Sequence, residues 1–504
     1  MSNRKRFICL ILGPVIFALS ALLLPSVFTT SGAHAVGISL WMIFWWITGP
    51  VHITITALLP AIANAFLNMV PMTDVISQYS CESIILVFGS GLITLPWALI
   101  GLDRRIALKV LSLVGPSMKS QITVWVLAST LLTTCLPNVA VCAMFTPIAV
   151  SMLHAAGYDD IRNCAPGIPI LLAVGWGVSL GGTGTPLGGA MNLTAISILE
   201  EFTGQEFMYV DWISHIGPYF VIALAVFLGC MLLMPLKVKN LEGTKEYFKE
   251  SYAALGPMKP VEKICGSMFL VAMLLAFTRP LYAAILPGLV PAYSFLTIGF
   301  ICFFLTMKEG GPLLTWEHAQ KGTLWGMMIL FASGLAMGKL LNGSGASACL
   351  ADLVSEMNLD GGFTTIIALV VFTRLLTEMT NGTTAAAIVC PIVFSVSSKL
   401  GINPIPYWFI TTMAFNAEWL LPISVRAIPI SYGLDPKEML KRGIPVALVH
   451  MVVVILFGCA AIKLCLTLAT CPISFPDALK RRNMEIDDES TVFAQRFCVY
   501  KKTT

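Results

Sequence analysis

Charge is what this sequence has least of. Only 12% of its 504 residues are Asp, Glu, Lys or Arg and 57% are hydrophobic, a balance that excludes an ordinary soluble domain. The longest polar stretches, 237–263 and 471–504, leave no room for a sizeable soluble domain. Six scattered histidines and fourteen cysteines without a single C-x-x-C pair give no metal-ligand pattern. Clustered His, Cys or paired carboxylates are lacking as well, which argues against an enzyme. GGTGTPLGG, residues 181–189, has no Gly-Lys-Ser/Thr after it and sits between membrane-like flanks, so it is not a nucleotide loop. A net charge of +4 gives no reason to expect nucleic acid, because basic residues in so apolar a chain mark orientation.

Apolar runs take the place of all this. They recur at 7–24, 38–70 in two pieces, 121–136, 166–180, 213–236, 264–279, 284–306, 364–375, 403–423 and 444–469. At roughly 20 residues per crossing they predict an all-α polytopic membrane protein with about ten or eleven transmembrane helices. Arg4, Lys5 and Arg6 ahead of the first run place the N-terminus in the cytoplasm, with the chain in the cell (inner) membrane. Ala33-His34-Ala35 mimics a signal-peptide cleavage site, but the apolar run ends about ten residues earlier and further spans follow, so the first helix is read as retained.

Two distant segments match. Phe88-Gly89-Ser90-Gly91-Leu92 superposes on Phe331-Ala332-Ser333-Gly334-Leu335 at an offset of 243 (331 less 88), and the same offset carries Asn138 onto Asn381. One inserted residue then aligns Pro147 with Pro391 and Gly157 with Gly401. A register kept through Asn, Pro and Gly marks an internal repeat. The reading divides the chain into an N-terminal helix and loop (1–35), a first transmembrane repeat (36–236), a polar linker (237–263), a second repeat (264–470) and a polar tail (471–504). If 86–101 forms a re-entrant hairpin that does not cross, about five crossings separate the copies, and the second repeat is inverted relative to the first, as in secondary transporters.

Three segments interrupt the apolar pattern: TTCLPNVAV (133–141), SLGGTGTPLGG (179–189) and LTEMTNGTTAA (376–386). Unpaired backbone is costly in hydrocarbon and survives only where protein or a water-filled cavity receives it, so these glycines, prolines and asparagines predict broken helices around a site. A broken helix offers free carbonyls to a cation and a positive N-terminus to an anion. Asn192-Leu193-Thr194 and Asn381-Gly382-Thr383 fit the glycosylation pattern, but the second lies at membrane depth and both are set aside.

The order of FGSGL, GLDRRIAL (101–108), PNVAVCAMFTPI, SLGGTGTPLGGAMN, TNGTTAAAIVCPI and WLLPISVRAIPI resembles the divalent anion/sodium symporter family, relatives of the dicarboxylate, citrate and sulfate carriers, over roughly residues 36 to 470. That resemblance implies a homodimer and a substrate-binding signature in each repeat. The first signature falls on Pro137, Asn138 and Val139, and the second on Thr380, Asn381 and Gly382. A first sodium site would use Thr133, Asn138 and the backbone around Gly188, and a second Thr380, Asn381 and the backbone near Ser424, with Leu376 where the family has a hydroxyl. Of the Thr-Pro-Pro-Asn that ends the family's glycine-rich segments, only Asn192 remains, and Arg426 falls in the second, where the family has proline.

Ionisable residues inside spans are costly enough to be functional candidates by default. Arg374 and Glu378 stand i, i+4 just before the second break, and Glu418 and Arg426 flank LLPIS. They read as ion pairs at a cavity rim, as proton carriers in the case of the glutamates, or, for Arg426, as a fixed charge that forks onto substrate oxygens in place of a cation. The sequence thus predicts a secondary transporter of a small anion, a di- or tricarboxylate or an inorganic oxyanion such as sulfate. Sodium is the expected coupling ion, and no other cofactor is expected. A sodium/proton antiporter and a sodium-independent anion exchanger of the same architecture are the alternatives.

Overall fold

Runs of Leu, Ile, Val and Ala fold as helices here because within hydrocarbon each N–H has to find a carbonyl in its own segment. The computed structural model describes residues 3–306, 310–349, 361–380, 382–400, 402–422 and 424–468. Asn381 and the tail 471–504 lie outside the described residues. Among the described residues there is no β-strand, only two isolated bridges, and seven helices are long and apolar enough to cross a membrane. Shorter apolar helices, among them Gly167–Gly181 and Pro291–Ile301, make up the rest of the bundle. Helix breaks are one reason that full-length spans are fewer than the apolar runs.

Two helices open the chain, α1 (Asn3–Leu23) and α2 (Thr30–Thr48). The first repeat comprises α3 (Glu82–Ile100), α4 (Met118–Thr133), α5 (Asn138–Ala155), α6 (Gly167–Gly181), α7 (Ala190–Thr203) and α8 (Tyr209–Leu233). Helices α9 (Pro260–Phe277) and α10 (Pro291–Ile301) follow, at the start of the stretch 264–470 read as the second repeat. The second repeat holds α11 (Trp325–Gly343), α12 (Phe363–Met379), α13 (Gly382–Leu400), α14 (Pro404–Phe415) and α15 (Pro436–Leu468). α3 and α11 begin 243 residues apart (325 less 82), the offset of the sequence motifs. Neighbours repeat as well: α4 and α5 pack on α6 as α12 and α13 pack on α14.

The expected hairpin at 86–101 is not formed. α3 runs unbroken through FGSGL, and α11 runs unbroken through FASGL. The glycine serves packing here, not turning: a Cβ on Gly89 would lie 2.6 Å from the backbone nitrogen of Leu296 on α10. Ser90 and Thr94 bond back to carbonyls of their own helix, Ser90 Oγ to Val87 at 3.0 Å and Thr94 Oγ1 to Ser90 at 3.0 Å.

The hairpins are α4–α5 and α12–α13, and they enter from opposite ends of the bundle. Met118 N, at the start of α4, donates to Lys239 O of the linker, and α5 packs beside the linker helix Thr244–Ala253. On the other pair, Tyr407 Oη donates to Gly361 O near the start of α12, while Phe394 on α13 stacks on Phe202 near the end of α7. α3 and α11 also run antiparallel, since Glu82 and Ser83 share a recess with Lys339 and Asn342, whereas Leu95 packs on Gly322 just before α11. One end of the bundle carries Arg104, Lys119, Arg162, Lys237 and Lys441 with Asp103, Asp435 and Glu438 among them, and the other carries Glu82, Glu200, Glu201 and Glu206, two of them paired with Lys339 and Arg279. Arg105 pins the linker at the basic end, with Nε 3.0 Å from Glu262 and its two terminal nitrogens donating to Gly256 O at 2.7 Å and Leu255 O at 3.0 Å.

Gly89→Ala should force α3 off α10, an overpacking cost of about 1–3 kcal/mol, and lower the melting temperature of the detergent-solubilised protein. Gly91→Ala on the same helix, where a Cβ meets nothing within 4 Å, should leave it unchanged or slightly raised. Equal losses in both variants would contradict the packing role.

Candidate binding site between two helix breaks

The first break is built by proline and glycine. α4 stops at Thr133, α5 begins at Asn138, and Pro137 holds the entry to α5 at φ −53°. Opposite this break, the chain between α6 and α7 unwinds through a short 3₁₀ turn, Pro186–Gly188. The freed backbone finds side-chain partners: Asn192 Nδ2 donates to Gly182 O at 2.7 Å and to Thr185 O at 2.8 Å, and Trp212 Nε1 donates to Thr183 O at 3.0 Å. Thr185 Oγ1 donates to Thr134 O, tying the two unwound segments together.

Gly188 shows what the glycines accomplish. A Cβ there would sit 2.8 Å from Gly182 O, 2.9 Å from Thr133 O and 3.2 Å from Gly181 O. Three carbonyl oxygens therefore crowd the point from which any side chain would leave, and only glycine fits. Among the described residues no donor reaches Thr133 O, so that lone-pair density faces the gap. Thr133 contributes its carbonyl here, since its hydroxyl donates to Ser129 O at 2.7 Å. Gly182 O already accepts from Asn192 and Gly181 O from the Gly184 N–H at 3.0 Å, so Thr133 O is the one of the three still free for a cation, the hard oxygen ligand such an ion prefers.

The second break lies between Met379 and Gly382, with Asn381 outside the described residues. Facing it is the stretch from Asn416 to the turn Ser424–Arg426, where Ser424 takes φ +59°, a conformation rare for a non-glycine residue. A buried ionic cluster holds this stretch in place. Glu378 accepts from Arg374 at 2.9 Å, from Arg426 at 2.8 Å, and from the backbone N–H of Trp419 at 2.8 Å and Leu420 at 3.0 Å. Glu418 receives the Gly382 N–H at 2.7 Å and lies 3.1 Å from Arg426 Nη2. Arg374 also donates to Ala414 O at 3.1 Å. Two guanidiniums and two carboxylates, all less than 10% exposed, leave the cluster with no net charge.

Both breaks open onto one cavity of about 480 Å³. Asn138, Val139, Thr380, Gly382, Glu418 and Ser424 all line it, so residues from the two repeats meet at one site. Asn138 Oδ1 accepts its neighbour's N–H at 2.9 Å, and its Nδ2 has no hydrogen-bond partner among the described residues. Arg426 is fully buried behind Glu418 and does not line the cavity, nor do Arg374 and Glu378. A second recess shares Asn138, Val139 and Ala190 and continues along α3 to Asp103 at the basic end. Towards the acidic end, Lys339 on α11 pairs with Glu201 on α7 at 2.6 Å, and Ser83 bonds Ser197.

Sequence reasoning passed over Asn416. Its Nδ2 donates to Asn192 Oδ1 at 2.8 Å, joining the two unwound segments, and its Oδ1 is buried without a partner among the described residues in the cavity lining. The signal was a polar residue in the run 403–423, which also holds Asn403, Thr411, Thr412 and Glu418, and that by itself does not separate a cavity-facing amide from a helix-packing one.

The chain is 25% identical over 476 residues to the sodium-dependent dicarboxylate transporter SdcS of Staphylococcus saprophyticus, covering 90% of this chain and 91% of that one. It is 26% identical over 473 residues to the SdcS of Staphylococcus aureus, covering 90% of each. The solved structure of Neisseria gonorrhoeae MtrF overlays with a TM-score of 0.47 at 12% identity, covering 79% of this chain and 84% of that one. The model of the citrate transporter family matches residues 43–414, well over half of the chain. With paired helix breaks in a polytopic bundle and a family match of that extent, this integral membrane protein is a transporter, not an enzyme, and belongs to the citrate transporter family.

Proposed function

We propose that the chain is a sodium-coupled secondary transporter of a small di- or tricarboxylate or an oxyanion such as sulfate, working by alternating access. The carrying observation is the single cavity lined by both helix breaks, with the carbonyl cradle at Gly188 beside it. In this reading sodium occupies the cradle with Thr133, Asn138 and the Gly188 backbone as its surroundings, and no other cofactor is needed. The anion sits between Asn138-Val139 and Thr380-Asn381-Gly382, where Asn138 Nδ2 offers a donor and the positive N-terminal ends of α5 and α13 favour negative charge, although Val139 N–H and Gly382 N–H are already engaged by Asn138 and Glu418. The basic end of the bundle is cytoplasmic, so the N-terminus is too, and the protein works as a homodimer in the cell membrane. The repeats are of inverted topology, and the motion carries the paired hairpins past the rest of the bundle. The Lys339–Glu201 and Ser83–Ser197 contacts close the acidic end in the conformation described.

A second reading rests on the ionic cluster. Arg426 places a fixed guanidinium beside the second break, where a second cation would otherwise balance the anion, so transport would need fewer sodium ions or run as exchange. Glu418, which lines the cavity, is neutralised by it and would otherwise repel an anionic substrate.

In proteoliposomes, uptake of labelled succinate or citrate should depend on an inward sodium gradient, and Gly188→Ala should raise the half-saturating sodium concentration at least tenfold, since the methyl group fills the cradle. Sodium-independent uptake by the unsubstituted protein would overturn the coupling. Arg426→Gln should weaken anion affinity and steepen the sodium dependence while Arg426→Lys keeps most of both; an unchanged affinity and sodium dependence in Arg426→Gln would dismiss the second reading. Glu378→Gln leaves two buried guanidiniums with one carboxylate and should cost about 3–5 kcal/mol, visible as a lowered melting temperature.

A further inference from the structure

At the basic end of the bundle, the end of α8, the start of α15 and the turn before α6 enclose a recess of about 830 Å³ that takes no part in the site above. Its charged lining is four cations, Arg162, Lys237, Lys441 and Arg442, against two acids, Asp435 and Glu438. Both acids are engaged locally. Asp435 Oδ1 accepts the Lys437 N–H at 2.9 Å at the start of α15, and Glu438 pairs with Arg442 Nε at 2.9 Å. Arg442 Nη1 is buried with no hydrogen-bond partner among the described residues, and Lys237 and Lys441 are exposed and make no ion pair among them. The recess therefore holds more positive charge than its own acids neutralise, with one donor already desolvated.

Its other wall is apolar. Leu233, Met234, Pro445 and Val449 line it, and an exposed ridge of Ile444, Leu448, Val452 and Leu456, 47–62% exposed at four-residue spacing, continues from it along α15. α15 and α8 are both of membrane-spanning length and composition, and the recess lies where one ends and the other begins, which is headgroup depth. A soluble anion would use only the cations. A phospholipid uses the cations for its phosphate and the ridge for an acyl chain. We infer that this recess binds an anionic phospholipid, its headgroup on Lys237, Lys441 and Arg442 and its chain along α15. The inference stands on the fold and is independent of the transported substrate.

The test uses the full chain purified in mild detergent, with phosphatidylglycerol, phosphatidylcholine or inorganic phosphate added, read by native mass spectrometry and by melting temperature. Phosphatidylglycerol should stay bound and raise the melting temperature, while phosphatidylcholine and phosphate do neither. Lys237→Gln with Lys441→Gln should weaken phosphatidylglycerol binding roughly thirtyfold without changing the lipid-free melting temperature, and the corresponding pair of Lys→Arg changes should retain it. Equal retention of phosphatidylcholine, a stabilisation by phosphate alone that matches phosphatidylglycerol, or undiminished binding by the Gln pair would each overturn the proposal.

Discussion

A peptide group that leaves its helix inside a membrane has to find another partner, and this constraint orders the rest of the structure. Water is absent from hydrocarbon, and an unpaired N–H or C=O there costs several kcal/mol. The chain breaks its helices at membrane depth nonetheless, near Thr134–Pro137, Gly182–Gly189, Thr380 and Asn416–Leu420. Each break is held by partners that the same fold brings to it. The carbonyl left over at the first break is that of Thr133, close to Gly188.

The two repeats meet the constraint by different chemistry. In the first, neutral donors suffice: Asn192 and Trp212 satisfy the carbonyls of the glycine-rich segment. In the second, Glu378 accepts two backbone N–H groups and Glu418 a third, and carboxylates buried in that way need Arg374 and Arg426 to neutralise them. The four charges are thus tied first to the backbone, and their influence on an anion passes through Glu418, which alone of the four reaches the cavity. The asymmetry leaves the first repeat with a free carbonyl at Thr133 beside two that already accept, and the second with a cluster of fixed charges. Asn192 and Asn416 link the two solutions through one hydrogen bond, so a shift in either unwound segment is felt by the other.

Much of this was legible in the sequence because breakers inside apolar runs have few explanations. The repeat, the break at Asn138 and the unwinding at Gly181–Gly189 follow from glycine, proline and asparagine where helix formers are expected. The Arg374–Glu378 pair is local, at i, i+4, and reads directly from spacing. Arg426 reaching Glu378 across 48 residues does not, because nothing local fixes how two unwound segments oppose each other. The hairpin expected at 86–101 failed for a related reason. Glycine permits both a turn and a close helix approach, and only tertiary contact with Leu296 separates the two. Asn416 was missed because an amide in a largely apolar run is ambiguous until its neighbours are known.

The central claim is that the two breaks together enclose a coupling cation and its anion. Its most direct test is an experimental structure in lipid nanodiscs with sodium and citrate present. The account predicts density for the anion between Asn138 and the Thr380–Gly382 break, with a cation against the carbonyls of Thr133, Gly181 and Gly182. Unbroken helix through 134–137 or 380–382, or an anion bound away from both, would contradict it.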